Sequence, residues 1–169
     1  MKLLTIIIPA YNETRTISKL LTKIFNLNIK KQVIVIDDNS SDDTKDKILK
    51  FKKKIDKIIF HKKNLGKGAA IKSAQKFIKG EYVIIQDADL EYDPSDYNKL
   101  LKPITDGVAD VVYGSRFVGS EEKRVIYFWH MIGNKLLTLL SNMLTNLNLT
   151  DMEVCYKAFR SDVIKNINL

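Results

Sequence analysis

Residues 4–8 read Leu-Thr-Ile-Ile-Ile, and Pro9 closes the run. A strand this apolar, with no regular polar alternation, has to be buried on both faces, and that requirement most narrows the folds open to the chain. Strand-like runs recur at 33–36, 57–61, 82–86 and 109–113. Between them the spacing turns helical: within 13–25, Ile17, Leu20, Leu21 and Ile24 share one face. Helices are also predicted over 41–51, 68–78 and 96–104. Strands alternating with helices predict an α/β doubly wound sheet, mostly parallel and flanked by helices. Ligands of such sheets bind beyond the carboxyl ends of the strands, so the residues that follow each strand are the ones to read for chemistry.

Composition limits the alternatives. A chain of 169 residues suits one domain with a sizeable core. A single cysteine, Cys155, excludes an intrachain disulfide and fits a reducing compartment. There is no signal-peptide pattern and no apolar run long enough to span a bilayer, so a cytoplasmic protein is expected. The formal net charge is +8, and all but four of the 28 basic residues are lysine. Lysines at 45–63 read as a solvated face. They lack the interleaved aromatics or arginine stripe of a nucleic-acid binder, so no nucleic-acid partner is expected. The apolar, aromatic stretch 125–149 reads first as a core helix. Tyr127 and Trp129 beside Lys123 and Arg124 keep an interfacial helix on a membrane surface as the alternative.

Four strand ends carry candidate chemistry. After the first come Tyr11, whose ring can stack on a base, and Glu13, which can accept from a base or ribose; Asn12 and Glu13 equally suit a helix start. After the second, Asp38 can accept from a base edge or ribose, inside a cluster that also suits a turn. The third leads to Asn64-Leu65-Gly66-Lys67-Gly68, where Lys67 can meet a phosphate. It is neither a P-loop nor a G-x-G-x-x-G fingerprint. The fourth leads to Asp87-Ala88-Asp89. Two carboxylates at one strand end suit a hard divalent cation, Mg²⁺ or Mn²⁺, that also takes phosphate oxygens. Glu91 is a further candidate ligand. After the fifth strand, Arg116 can grip a phosphate.

These motifs, Ile6 to Glu13, Val35 to Asp42, Asn64 to Gly68 and Gln86 to Asp89, occur in the order seen in family 2 glycosyltransferases. Gly114-Ser115-Arg116 and residues 151–157 extend the resemblance, which is nearest to the dolichyl-phosphate mannose synthase-like branch and covers almost the whole chain. It implies a GT-A fold and one catalytic domain over 1–169. It also implies an inverting, metal-dependent transfer from a UDP- or GDP-sugar. Carried over, Pro9, Ala10, Tyr11, Glu13, Ile36 and Asp38 line the nucleotide pocket, while Asp87, Ala88, Asp89 and Leu90 face the diphosphate. Asp89 binds the metal with Asp87 and Glu91, and Arg116 contacts phosphate.

The favoured acceptor is a polyprenyl phosphate, met at the cytoplasmic face of a membrane, in building the cell envelope. Such a nucleophile is already anionic. A sugar hydroxyl of a surface polysaccharide, the alternative acceptor, would need a base, for which Asp151 and Glu153 are the candidates. A non-catalytic nucleotide-sugar binding module is the other alternative. Relatives of this branch run well beyond the position of Leu169. The chain is therefore expected to be a fragment, or to need a second copy or membrane partner to close its acceptor side.

Overall fold

The computed structural model describes residues 3–115 and 127–168. Its strands are β1 (Leu4–Ala10), β2 (Lys31–Asp37), β3 (Lys57–Phe60), β4 (Tyr82–Ile85), β5 (Val111–Tyr113) and β6 (Lys157–Arg160). They form one sheet in the order β3-β2-β1-β4-β6-β5. β1 pairs in parallel with β2 and β4, and β2 with β3. β6 lies antiparallel between β4 and β5. The doubly wound, mostly parallel sheet expected from the apolar runs is therefore present.

Helices cover both faces of that sheet. On one side α1 (Ile17–Asn26), α2 (Thr44–Lys50) and α4 (Tyr97–Thr105) pack Ile17, Leu20, Ile24, Ile48, Tyr97 and Leu101 over Ile6, Ile8, Val33, Val35 and Ile84. On the other, α3 (Lys67–Gln75) and α6 (Ser161–Asn166) cover Ile7, Ile34, Ile36, Val83 and Ile85 with Ala70, Ala74 and Ile164. Successive strand residues point to opposite faces, so a strand sandwiched between two helical layers needs an apolar residue at nearly every position. Ile6, Ile7 and Ile8 accordingly have no exposed surface.

Three regions differ from expectation. α1 starts at Ile17, not near residue 13, because the chain before it is committed elsewhere. The N–H groups of Asn12, Glu13 and Thr14 donate to side chains of Ser40, Thr44 and Asp42. β6 and α6 are short, and their apolar residues gain meaning only beside β4 and α3. The third is α5 (Phe128–Thr145), which contributes no residue to either apolar core, so the core-helix reading of 125–149 is corrected. Its buried residues are Asn134 and Thr138, both polar. Among the described residues no helix is long and apolar enough to cross a membrane.

The end of the sheet away from the strand termini of interest is closed by a buried polar network. Thr5 Oγ1 donates to Gln32 Oε1 (2.8 Å) and accepts from Gly80 N (2.9 Å), while Gln32 Nε2 donates to Phe77 O (2.9 Å). This joins the entry to β4 to the start of β1. Gly80 is required by the contact: a Cβ there would lie 2.6 Å from Leu3 O and 2.7 Å from Thr5 N. Gly80→Ala should therefore lower stability by roughly 3 kcal/mol, since overpacking against backbone has no flexible side chain to yield. A urea transition with an unchanged midpoint would refute this close approach.

Candidate nucleotide and metal site

The strand order reverses between β1 and β4, and the crevice beyond their carboxyl ends is where such sheets hold ligands. Pairing of β1 with β4 stops at Ile7 and Ile85, while β1 continues with β2 to Ala10 and Asp37. The sheet thus opens on one side of Pro9, which lacks an N–H to pair. Around the opening stand Tyr11, about half exposed, and Asn12 in the left-handed region at φ 56°. Asn12 does not cap α1. Its Oδ1 accepts from Ser41 N at 2.9 Å and holds the two loops together. The Glu13 carboxylate accepts from Thr16 Oγ1 at 2.6 Å.

Asp38 is buried at the end of β2, beside Ile36 on the strand, and works as a clamp. His61 Nδ1 lies 2.6 Å from its Oδ1, and the N–H groups of Leu65 and Gly66 donate at 2.9 and 2.7 Å. Gly66 adopts φ 85°, which only glycine takes without strain, so its N–H can turn back to the carboxylate. Burial alone would push the Asp38 carboxyl up. The bonds from His61, Leu65 and Gly66 outweigh it and hold the group below the usual carboxylate range. Its neighbour Asp37 is as deeply buried, and Asp37 Oδ1 has no hydrogen-bond partner among the described residues. Sequence reading passed over Asp37 in favour of Asp38. The continuous apolar run of β2 marks both as strand-end residues but cannot tell which carboxylate has its oxygens taken.

The clamp places Lys67, the first residue of α3, across the opening. It forms an ion pair with Asp87 at the end of β4. Burial works against the Lys67 charge, but Asp87 overcomes it and keeps the ammonium above its ordinary pKa. Cys155 lies beside this pair, and burial, then Asp87, push its thiol up. Lys157 stands nearby; burial lowers its pKa and Lys67 adds to the effect.

The Asp87–Asp89 loop is fixed from below. Gln86, fully buried, donates to Asp87 O at 3.0 Å and Tyr92 O at 3.2 Å, and accepts from Tyr97 Oη at 3.1 Å. Ala88 is buried in the core and Leu90 turns through φ 66°, a left-handed conformation costing a leucine about 1–2 kcal/mol. Leu90 still packs on the core. Asp89 Oδ1 accepts from Glu91 N at 2.9 Å. Burial first, then the neighbouring carboxylates of Glu91 and Asp87, raise the Asp89 carboxyl above its ordinary value.

This bears on the expected metal. Among the described residues no three His, Cys, Asp or Glu side chains are gathered to hold an ion. Asp87 is engaged by Lys67, so the set Asp87, Asp89 and Glu91 is not assembled as a three-carboxylate cage. The donor chemistry nevertheless fits a hard divalent cation. Burial first, and then the negative charge crowded around it, raise Asp89; such an ion relieves that charge, and Mg²⁺-type sites take one or two carboxylates plus phosphate oxygens.

On the β6 side, Asp151 and Glu153 are brought together by Asn134 of α5, whose Nδ2 donates to both, at 3.2 and 2.7 Å. Asp151 is 1 % exposed. Sequence reading missed Asn134; the signal was a polar residue inside an apolar stretch. Gly114 N donates to Tyr156 O at 2.9 Å, bringing the end of β5 to the same region. Arg116, the expected phosphate contact, lies outside the described residues, as do Lys123 and Arg124.

Comparison with known proteins places these features in a family. A profile described as glycosyl transferase family 2 matches residues 5–167. The dolichol-phosphate mannosyltransferase of Pyrococcus furiosus is 27% identical over 98% of this chain and 48% of its own length. A UDP-N-acetylglucosamine–dolichyl-phosphate N-acetylglucosaminyltransferase of Methanococcus voltae is 28% identical, over 97% of this chain and 72% of its own. A mannosyltransferase from Pyrobaculum calidifontis, solved in complex with GDP-Man and Mn²⁺, superposes with a TM-score of 0.69 at 21% identity, covering 96% of this chain and 45% of that one. That likeness establishes the GT-A fold. The chain spans about half the length of several curated relatives it matches.

The Asp38 clamp predicts a pH signature. Its folded pKa lies below the unfolded one, so its contribution is complete above the ordinary carboxylate range and fades as pH falls through the folded value. Asp38→Asn should cost roughly 2 kcal/mol at neutral pH, with the deficit shrinking on acidification. Urea unfolding across pH tests this, and a deficit that stays constant into strong acid would exclude the charged clamp.

Proposed function

Because the chain belongs to glycosyl transferase family 2, we propose that it is the catalytic domain of an inverting glycosyltransferase that moves a sugar from a UDP- or GDP-sugar to a polyprenyl phosphate. The observation that carries this reading is the convergence of the Asp38-anchored Gly66–Lys67 turn and the Gln86-anchored Asp87–Asp89 loop at the strand-order reversal, joined by the Lys67–Asp87 ion pair. A basic and an acidic element meeting at one opening suit a diphosphate that is bound both directly and through a cation.

In this reading Pro9, Ala10, Tyr11, Glu13, Ile36 and the Asp37–Asp38 pair bound the nucleoside. Lys67, Ala88 and Leu90 border the diphosphate, and Arg116 assists it. Asp89, with Glu91 or Asp87, would hold Mg²⁺ or Mn²⁺, which supplies neutralisation of charge on the leaving diphosphate. Lys67 can then exchange Asp87 for a phosphate oxygen at little electrostatic cost. The acceptor enters from the side of Asp151 and Glu153 and attacks the anomeric carbon opposite the leaving group. A phosphate monoester is already ionised, so the two carboxylates orient and exclude water, and no base is required. The acceptor assignment draws on relatives named for dolichyl and undecaprenyl phosphates. A lipid acceptor also accounts for the apolar outer surface of α5, which would rest on the cytoplasmic face of a membrane.

Calorimetric titration with UDP- and GDP-sugars, with and without Mn²⁺, tests the proposal. One donor should bind with metal dependence, and Asp89→Asn should lower its affinity by about tenfold or more while leaving the urea midpoint nearly unchanged. Equal affinity in the Asp89→Asn protein would remove Asp89 from the site.

A further inference from the structure

α5 is amphipathic in the reverse of the usual sense. At about 100° per residue, its exposed apolar side chains sweep roughly half of the helix circumference. They include Phe128, Trp129, Ile132, Leu136, Leu140 and Leu144, the last 87% exposed. The opposite arc carries Asn134, Thr138 and Asn142, and this polar stripe faces the protein. Asn134 Nδ2 donates to Asp151 and Glu153, and Thr138 Oγ1 accepts from Met152 N at 3.2 Å. Asn142 exchanges two hydrogen bonds with the Leu149 backbone, at 2.8 and 2.9 Å. The stripe thus holds the whole segment from Leu149 to Glu153.

The charge pattern says what the outer arc meets. Residues 127–150 contain no Asp or Glu, and their basic members are Lys135 and His130. At 100° per residue these two fall at opposite edges of the apolar arc. Tyr127 and Trp129, 81% and 75% exposed, gather at one helix end. An apolar arc with basic edges, terminal aromatics and no acid complements an anionic lipid surface, where rings and lysines settle at headgroup level.

We propose that α5 seats on an anionic lipid surface by its outer arc, and that Asn134 is a positioning residue through which this seating sets Asp151 and Glu153. Transfer then responds to the lipid surface while donor binding does not. This deepens, and rests on, the lipid-phosphate reading above. The physical basis is that the same rigid helix carries both faces: fixing the outer arc fixes the stripe, and a short displacement of positioning groups is costly to transfer.

The experiment uses the full chain, phosphatidylcholine vesicles with and without phosphatidylglycerol, and a short, water-soluble polyprenyl phosphate as acceptor. Three readouts are taken: vesicle co-sedimentation, calorimetric donor affinity with Mn²⁺, and kcat and KM for transfer. The native chain should sediment with anionic vesicles, and its kcat should rise about tenfold or more on them at constant donor KM. Leu136→Gln/Leu140→Gln/Leu144→Gln should lose sedimentation and stimulation, with donor affinity unchanged. Asn134→Ala should sediment and bind donor normally, yet lose both kcat and stimulation. Asn134→His, which keeps an N–H donor, should recover part of the loss.

Failure of the native chain to sediment while it binds donor would overturn the surface. So would light scattering showing a dimer that the triple substitution dissociates without affecting vesicle binding, since a second copy would then own the arc. Normal stimulation in Asn134→Ala would overturn the coupling. Loss of donor binding in the native chain would instead fail the glycosyltransferase reading, and sedimentation would still judge the surface.

Discussion

A strand buried on both faces can offer polar groups only at its ends, and this constraint organises the molecule. β1 gives its entire length to two apolar layers, with Ile6 and Ile8 turned one way and Ile7 the other. β2 and β4 do nearly the same. Hydrogen-bonding side chains in the sheet's centre are consequently driven to its two edges. At one edge they become a structural lock, Thr5 with Gln32 and Gly80. At the other, beside the strand-order reversal, they become a site.

That site is built from charges held by neutral groups. Asp38 is charged in the interior because three N–H donors face it, and Gly66 is the residue whose backbone allows one of them to do so. The turn fixed in this way points Lys67 at Asp87. Gln86 performs the matching task for the acidic loop and leaves Leu90 in a left-handed turn that an apolar side chain tolerates because it is packed. Asp89 is left with too much negative charge around it and too little water, a condition that a cation and a diphosphate together relieve.

The β6 side follows a different logic. There the apolar surface is outside and the hydrogen bonds are inside, so α5 contributes positioning to the domain while its hydrophobic area remains unspent. Asn134 is the point at which the two logics meet, since it belongs to α5 yet its partners, Asp151 and Glu153, lead into β6, which pairs with β4 below the Asp87–Asp89 loop.

Much of this was readable along the chain. The apolar runs predict β1, β2 and β4 because two-sided burial leaves no other choice of residue, the shorter and partly exposed β3 and β5 carry the same residue types, and the polar clusters after the strands mark the functional edge. The D-x-D, Asp38 and the Gly66–Lys67 turn were visible as candidates because their chemistry is carried by residue type and local spacing. Their assignments were not. Asp38's oxygens are taken by residues 61, 65 and 66, and Lys67's partner comes from another strand, so only the folded geometry decides which carboxylate is a clamp and which remains available. The four residues of β6 carry too little pattern to declare a strand until β4 and β5 flank them. For 125–149 the sequence by itself determined an apolar, aromatic stretch suited to a helix, read first as core and alternatively as interfacial. Which side faces the protein was decided by the tertiary structure, because Asn134, Thr138 and Asn142 find hydrogen-bond partners in the 149–153 segment while the apolar side chains join neither core.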